Sequence, residues 1–316
     1  MSGVIQGFTV IFIVIAVGFV LGRTDLLGPG ATMVLSRLVF FVCTPALLFS
    51  SLAKADIADV FSTTLVVAGG SALIVGALYF TIARLLLRRA VPEATIGALS
   101  SSYVNSANLG IPIAIFVLDD ASFVAPLLLF QIMVYSPLAL TTLDLTALDR
   151  LDEDGNKRRI SLRDTIVAPL TNPIVLGGVA GLAIAVSGIT PPQALMQPFD
   201  MLGNASVPGA LLVFGLSLTG VAVLRKGESP RRDVALATVL KMVVQPVIVY
   251  VMARFAFGAE GHELFALVVI AALPTAQSVL VYATRYQRGV VLARDSALVT
   301  TLLAVPGIAL IALLLA

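Results

Sequence analysis

An all-helical membrane protein, with ten transmembrane helices arranged as two inverted five-span repeats, is the fold this sequence predicts. Three observations predict it. The chain is 59% hydrophobic and 12% charged, with a mean hydropathy of +1.03, whereas soluble domains carry about 25% charged residues. Apolar stretches near the length that crosses a bilayer recur along the whole sequence. Two of these stretches are interrupted by polar residues at matching places in the two halves. A barrel would need short alternating strands, and runs such as 65–82 do not alternate.

The spans are expected at 4–22, 32–52, 61–83, 94–118, 122–145, 165–187, 196–222, 233–256, 263–284 and 293–315. Span one follows Met1-Ser2-Gly3, which has no basic side chain, and precedes Arg23. A cleavable signal has its charge first, so the span reads as retained. Span two carries Thr44-Pro45-Ala46-Leu47-Leu48-Phe49, with Cys43 as packed apolar volume. Span four is broken by Asn105-Ser106-Ala107-Asn108-Leu109-Gly110-Ile111-Pro112 and ends at Asp119 and Asp120. Span five has Asp144 near its inner end. Span six contains Asn172-Pro173, then Gly177 and Gly181 at a spacing that suits close helix packing and a dimer face. Span seven carries Val207-Pro208-Gly209-Ala210-Leu211-Leu212, and span eight Lys241, Gln245 and Pro246. Span nine is broken at Pro274-Thr275-Ala276-Gln277-Ser278.

A charged linker at 148–164 divides the chain into a first repeat, 1–147, and a second, 165–316. Sixteen of the twenty Lys and Arg residues fall in connections one, three, five, seven and nine. Positive connections stay cytoplasmic, so both termini are expected outside. Five spans per half is an odd number, so two similar halves have opposite topology. Pro45 and Pro208 are 163 residues apart, and Asn108 and Gln277 are 169 apart. Two echoes at nearly one offset support the repeat.

Irregular backbone at membrane depth is tolerated where it is buried in protein or lines a watery cavity. Paired interruptions at corresponding positions point to a secondary transporter's binding site. If spans four and nine cross at their breaks, Asn105, Asn108, Thr275, Gln277 and Ser278 converge near the midplane. Half-helix N-termini there favour an anion, and the amides and hydroxyls supply neutral donors and acceptors. A small polar solute bearing a carboxylate fits. The blander alternative is that these residues only satisfy kinked backbone and pack helices. Lys241 lies about 12 Å of helix from the inner end of its span. It either snorkels, or braces the broken helices where a coupling cation could otherwise sit. The broken centres contain no Asp or Glu, which argues against sodium–proton exchange.

Cys43 is the sole cysteine, and His262, the sole histidine, is expected in a loop. Zinc sites need several such ligands, so no metal and no cofactor are expected. The sequence offers no nucleophile–base pair, so an enzyme is not expected either. No nucleic-acid partner is expected.

At these residues the chain resembles the auxin efflux carrier family, the bacterial relatives of the plant PIN-FORMED proteins. The resemblance spans nearly the full length. It rests on Pro45 to Phe49, on Asn105 followed by Gly110-Ile111-Pro112, on Asn172-Pro173, on Lys241 with Pro246, and on Ala272-Leu273-Pro274. It implies an architecture like that of NhaA and the bile-acid symporters, working as an elevator. Spans one, two, six and seven would form a scaffold that also holds a homodimer. Spans three to five and eight to ten would form a moving core. Helices four and nine would cross near Gly110, Pro112 and Pro274, with Asn105 near a substrate carboxylate, and with Pro45 and Asn172 as possible cavity residues. Plant members read Asn-Pro-Asn where this chain has Asn172-Pro173-Ile174, which sets auxin itself apart. The expectation is a carrier of a small organic anion in the inner (cytoplasmic) membrane. The alternatives are a cation-coupled carrier like the bile-acid–sodium symporters and a receptor or sensor that binds without transport.

Overall fold

A computed structural model of the chain describes residues 2–54, 63–118, 123–147, 173–189, 191–219, 224–225 and 227–315. The 148–164 linker, Asn172, Asp119 and Asp120 lie outside them. The described residues form helices and no strand, apart from one isolated antiparallel bridge. The helices are α1 (Ser2–Thr24), α2 (Ala31–Leu52), α3 (Thr63–Leu85), α4 (Val91–Ser102), α5 (Ile111–Val117), α6 (125–147), α7 (Pro173–Ser187), α8 (Gln193–Ser217), α9 (Arg231–Ala256), α10 (Gly261–Ala271), α11 (Gln277–Tyr286) and α12 (Val290–Leu315). Among the described residues, six helical stretches are long and apolar enough to cross a bilayer, and shorter apolar helices accompany them.

The helices pack in two groups. In one, α1 lies along α8 and α7 lies along α2. The contacts are backbone to backbone, because glycine removes the side chain that would hold two helices apart. A Cβ on Gly18 would run into Leu212 O, and one on Gly215 into Ile15 O. Gly177 abuts the Pro45 carbonyl, and a Cβ on Gly181 would stand 2.5 Å from Phe49 O. The glycine pair of span six therefore serves close helix packing within the chain. Pro45 likewise backs onto Gly177 through its main chain. Between α2 and α8, buried Thr44 and Ser206 hydroxyls meet at 2.9 Å. Gly181→Leu is expected to lower the yield of folded protein severely, since overpacking against rigid backbone costs about 1–3 kcal/mol or more. A monodisperse wild-type-like peak in detergent chromatography would contradict that contact.

In the other group, α3, α4, α6 and α9 to α12 pack together. Its charged end is tied by ion pairs. Arg89 reaches buried Asp233 at the start of α9 through two bonds of 2.9 and 2.7 Å. The Asp233 hydrogen bonds and charge hold the Arg89 guanidinium above its usual pKa. Arg288 meets Glu93 at 2.8 Å. His262 is not in a loop: it sits in the first turn of α10, its Nε2 3.1 Å from Leu118 O at the end of α5.

Candidate functional site at the crossing of two broken helices

The short helices α4 and α10 stop inside the second group, and the chain beyond each is extended. Tyr103 has φ −82° and ψ 109°, and Ala276 φ −70° and ψ 143°. Proline explains the second break: Pro274 cannot donate to a helix and pushes the residue before it out of the helical region. The two extended pieces pair with each other. Val104 and Thr275 form the antiparallel bridge. The Asn105 N–H donates to Pro274 O at 2.8 Å, and the Ala276 N–H donates to Tyr103 O at 3.0 Å. Backbone groups that lipid would leave unpaired thereby satisfy one another.

Side chains complete the accounting. The Gln131 amide donates to Val104 O at 3.1 Å and accepts from the Ser106 hydroxyl at 2.6 Å. The Thr275 hydroxyl donates to Ser100 O at 2.5 Å, and its N–H donates to the Thr300 hydroxyl at 3.1 Å. Lys241 is fully buried and donates to Ala271 O and to Gln245 Oε1, both at 2.7 Å. Gln245 in turn points its amide at Ser102 O, 3.5 Å away. The ammonium thus sits at the C-terminal, partially negative end of α10, and Gln245 at that of α4. Lys241 does not snorkel.

Gln131 opens a π turn, Gln131–Tyr135, and Lys241 lies in another, Leu240–Val244. Such single wide turns recur at functional sites, where they re-aim side chains. Around them runs a hydroxyl network. Ser102 meets Tyr135 at 2.6 Å, and Ser136 bridges Tyr103 at 2.8 Å and Tyr282 at 3.0 Å.

The expected site residues lie along the two broken segments and the first turn of α11. Asn105 is 3% exposed and lies in the crossing itself. The Thr275 hydroxyl is committed to α4. Gln277 opens α11, half-buried beside Ser278, and donates to the Ser217 hydroxyl of α8 at 3.2 Å. Asn108 belongs to the π turn Ser106–Gly110, and its side chain lies outside the described residues. Gly110 sits against Leu273, with its N–H on Asn105 O at 2.9 Å. Pro112 is buried in the first turn of α5. The backbone crossing is centred on Val104 and Thr275, upstream of Gly110 and Pro112. Gln131, Thr300, Ser217 and the tyrosines were missed from sequence. Gln131 was visible as a polar residue inside an apolar run, but nothing local says which way it faces.

The arrangement suits binding more than bond chemistry. It presents amides, hydroxyls and the first turn of α11. Among the described residues, no group of three His, Cys, Asp or Glu could hold a metal. Gln131→Leu is expected to reduce transport while the protein still inserts. The Val104 carbonyl and Ser106 hydroxyl would each lose one hydrogen bond, at about 0.5–1.5 kcal/mol apiece, while keeping the contact they make with each other. Gln131→Glu, which keeps the acceptor, separates the two contacts in a transport assay.

The family model described as "Membrane transport protein" matches residues 4–312. A Rhizobium meliloti (strain 1021) protein named "Putative malonate transporter" is 27% identical over 283 residues, 88% of this chain and 85% of that protein. An Escherichia coli (strain K12) protein named "Uncharacterized transporter YfdV" is 23% identical over 282 residues, 87% and 86% of the two chains. The chain is a multi-pass membrane transporter and not an enzyme. It belongs to the membrane transport protein family, that of the auxin efflux carriers.

Proposed function

We propose that this chain is a secondary carrier for a small organic anion bearing a carboxylate, with a dicarboxylate of the malonate or malate type as the leading candidate. The observation that carries the proposal is the backbone-paired crossing, which holds buried Asn105 near the first turn of α11. An uncharged amide beside a partially positive helix end suits a carboxylate. The family and the malonate assignment in a relative's name support the substrate class.

The carrier has ten spans in two inverted repeats. Gln131 and Thr300, also 169 residues apart, support this, since each reaches the break of the preceding span. The group of α1, α2, α7 and α8 is the scaffold, and the group carrying the crossing moves against it as an elevator. The scaffold forms the homodimer. The chain lies in the cytoplasmic membrane with its positive connections inside and both termini outside. Asn105, Asn108, Thr275, Gln277 and Ser278 surround the substrate, directly or through backbone. Lys241 supplies at the α10 terminus the positive charge that a coupling cation would bring, so exchange proceeds without sodium.

The test is counterflow. Proteoliposomes preloaded with unlabelled malonate or malate are expected to accumulate labelled malonate from outside, equally in sodium and choline buffers. No accumulation with any carboxylate by correctly inserted protein would overturn the anion assignment. Binding without exchange would favour a receptor, and strict sodium dependence a cation-coupled carrier.

A further inference from the structure

A recess of about 300 Å³ opens beside the start of α9, bordered by Arg89, Arg231 and Arg232 and by one carboxylate, Asp233. Arg89 and Asp233 are joined to each other. Arg231 gives one N–H to Leu224 O at 3.0 Å, and both Arg231 and Arg232 are exposed. The recess therefore keeps a surplus of positive charge. The Ser229 hydroxyl also borders it, with its oxygen buried and no hydrogen-bond partner among the described residues. Pro230 caps α9, and its carbonyl accepts the Asp233 and Val234 N–H groups while the Ser229 carbonyl accepts that of Arg231, so what the 26-residue helix brings to this edge is its partial positive charge. Guanidiniums, a hydroxyl and a helix N-terminus together are the chemistry that holds a phosphate.

A second observation says what carries that phosphate. Along α9 from Arg231, every fourth residue is exposed: Ala235, Val239, Val243, Val247, Val251 and Phe255. Val239 to Phe255 are 47–75% exposed. On a regular helix of 3.6 residues per turn, a four-residue row drifts steadily around the axis. The π turns Leu240–Val244 and Met252–Ala256 are wider and offset that drift, so the row stays on one side. An apolar row in a membrane helix, headed by arginines at its charged end, matches an acyl chain below a headgroup.

We propose that this recess binds the phosphate of an anionic phospholipid from the inner leaflet, with an acyl chain along the Val239–Val243–Val247 row. The proposal rests on the inner placement of the positive connections and is independent of the transported solute. Basic pockets beside membrane helices on the cytoplasmic side are suited to such headgroups.

The test uses the full-length protein purified in detergent and native mass spectrometry with dioleoyl phosphatidylglycerol and dioleoyl phosphatidylcholine. The wild type is expected to retain phosphatidylglycerol preferentially. Arg231→Gln with Arg232→Gln is expected to weaken that binding about thirtyfold, from two surface cations. Arg231→Lys with Arg232→Lys keeps most of it, and Arg37→Gln, exposed elsewhere, keeps all of it. Equal retention of both lipids by the wild type would overturn the proposal, as would unchanged phosphatidylglycerol binding in the double Gln variant. Should that variant fail to fold, loss of the wild-type preference in raised salt takes its place, and an unchanged preference there overturns the proposal. Displacement of the lipid by millimolar inorganic phosphate, itself retained in the spectrum, would assign the recess to a soluble phosphate instead. None of these readouts requires transport, so their failure and a failure of counterflow are separable.

Discussion

Asn105→Ala is expected to lower malonate counterflow about ten- to a hundredfold, the range for removing one hydrogen bond to a charged group. The protein should still fold and insert. Two bonds that build the crossing at this position belong to the main chain: Asn105 N–H to Pro274 O, and Gly110 N–H to Asn105 O. Alanine retains both. A fall in transport with an unchanged melting midpoint therefore reads the side chain's role in the site. Unchanged uptake would remove Asn105 from it, while loss of folded protein would make it a structural residue. Asn105→Asp adds a negative charge beside an anion, and should be at least as harmful as alanine.

The second large effect is at Lys241. Methionine there would keep the unbranched apolar body of the side chain, one atom shorter, and remove the ammonium. The Ala271 carbonyl and Gln245 Oε1 each lose a donor at 2.7 Å, and leaving buried acceptors unpaired costs about 1–3 kcal/mol apiece. Against that, the cost of burying an ammonium disappears, and that cost is several kcal/mol. The two nearly cancel, so the melting midpoint of Lys241→Met should move little. Transport should not survive so well. Gln245 is the link from Lys241 to Ser102, and the ammonium is the charge at the α10 terminus, so the ends of both broken helices lose a tie at once. Counterflow by Lys241→Met at the wild-type rate would reduce Lys241 to a packing residue. A large fall in the melting midpoint would show that the hydrogen bonds outweigh the burial cost.

Much of this was legible because membranes make sequence patterns coarse. Lipid demands long apolar runs and internally satisfied backbone, so helices are read from hydropathy and a break from Pro274 or the polar run at Asn105. The all-helical class, the positions of the helices and the two interruptions follow from local composition. Lys241 was conspicuous for the same reason, as a charge in an apolar span.

What local composition cannot carry is direction and partner. Whether Lys241 snorkels or braces depends on which face of α9 meets α10, and only packing decides that. The extended segments pair at Val104 and Thr275, because such pairing needs two free N–H and C=O edges side by side. Pro112 has no N–H to offer and sits happily in a first helical turn. Gln131 and Thr300 act on the breaks from other spans, through contacts that no spacing along the chain announces. Gly177 and Gly181 are read from sequence as a surface for close approach, yet the same spacing serves a second subunit or a neighbouring helix equally well. The sequence by itself determined an apolar helical chain with two interrupted spans and an uneven distribution of positive charge. Tertiary structure alone decided which groups meet at those interruptions, because buried polar groups are satisfied by whatever the fold brings within 3 Å or so, and that proximity is a property of the packed chain.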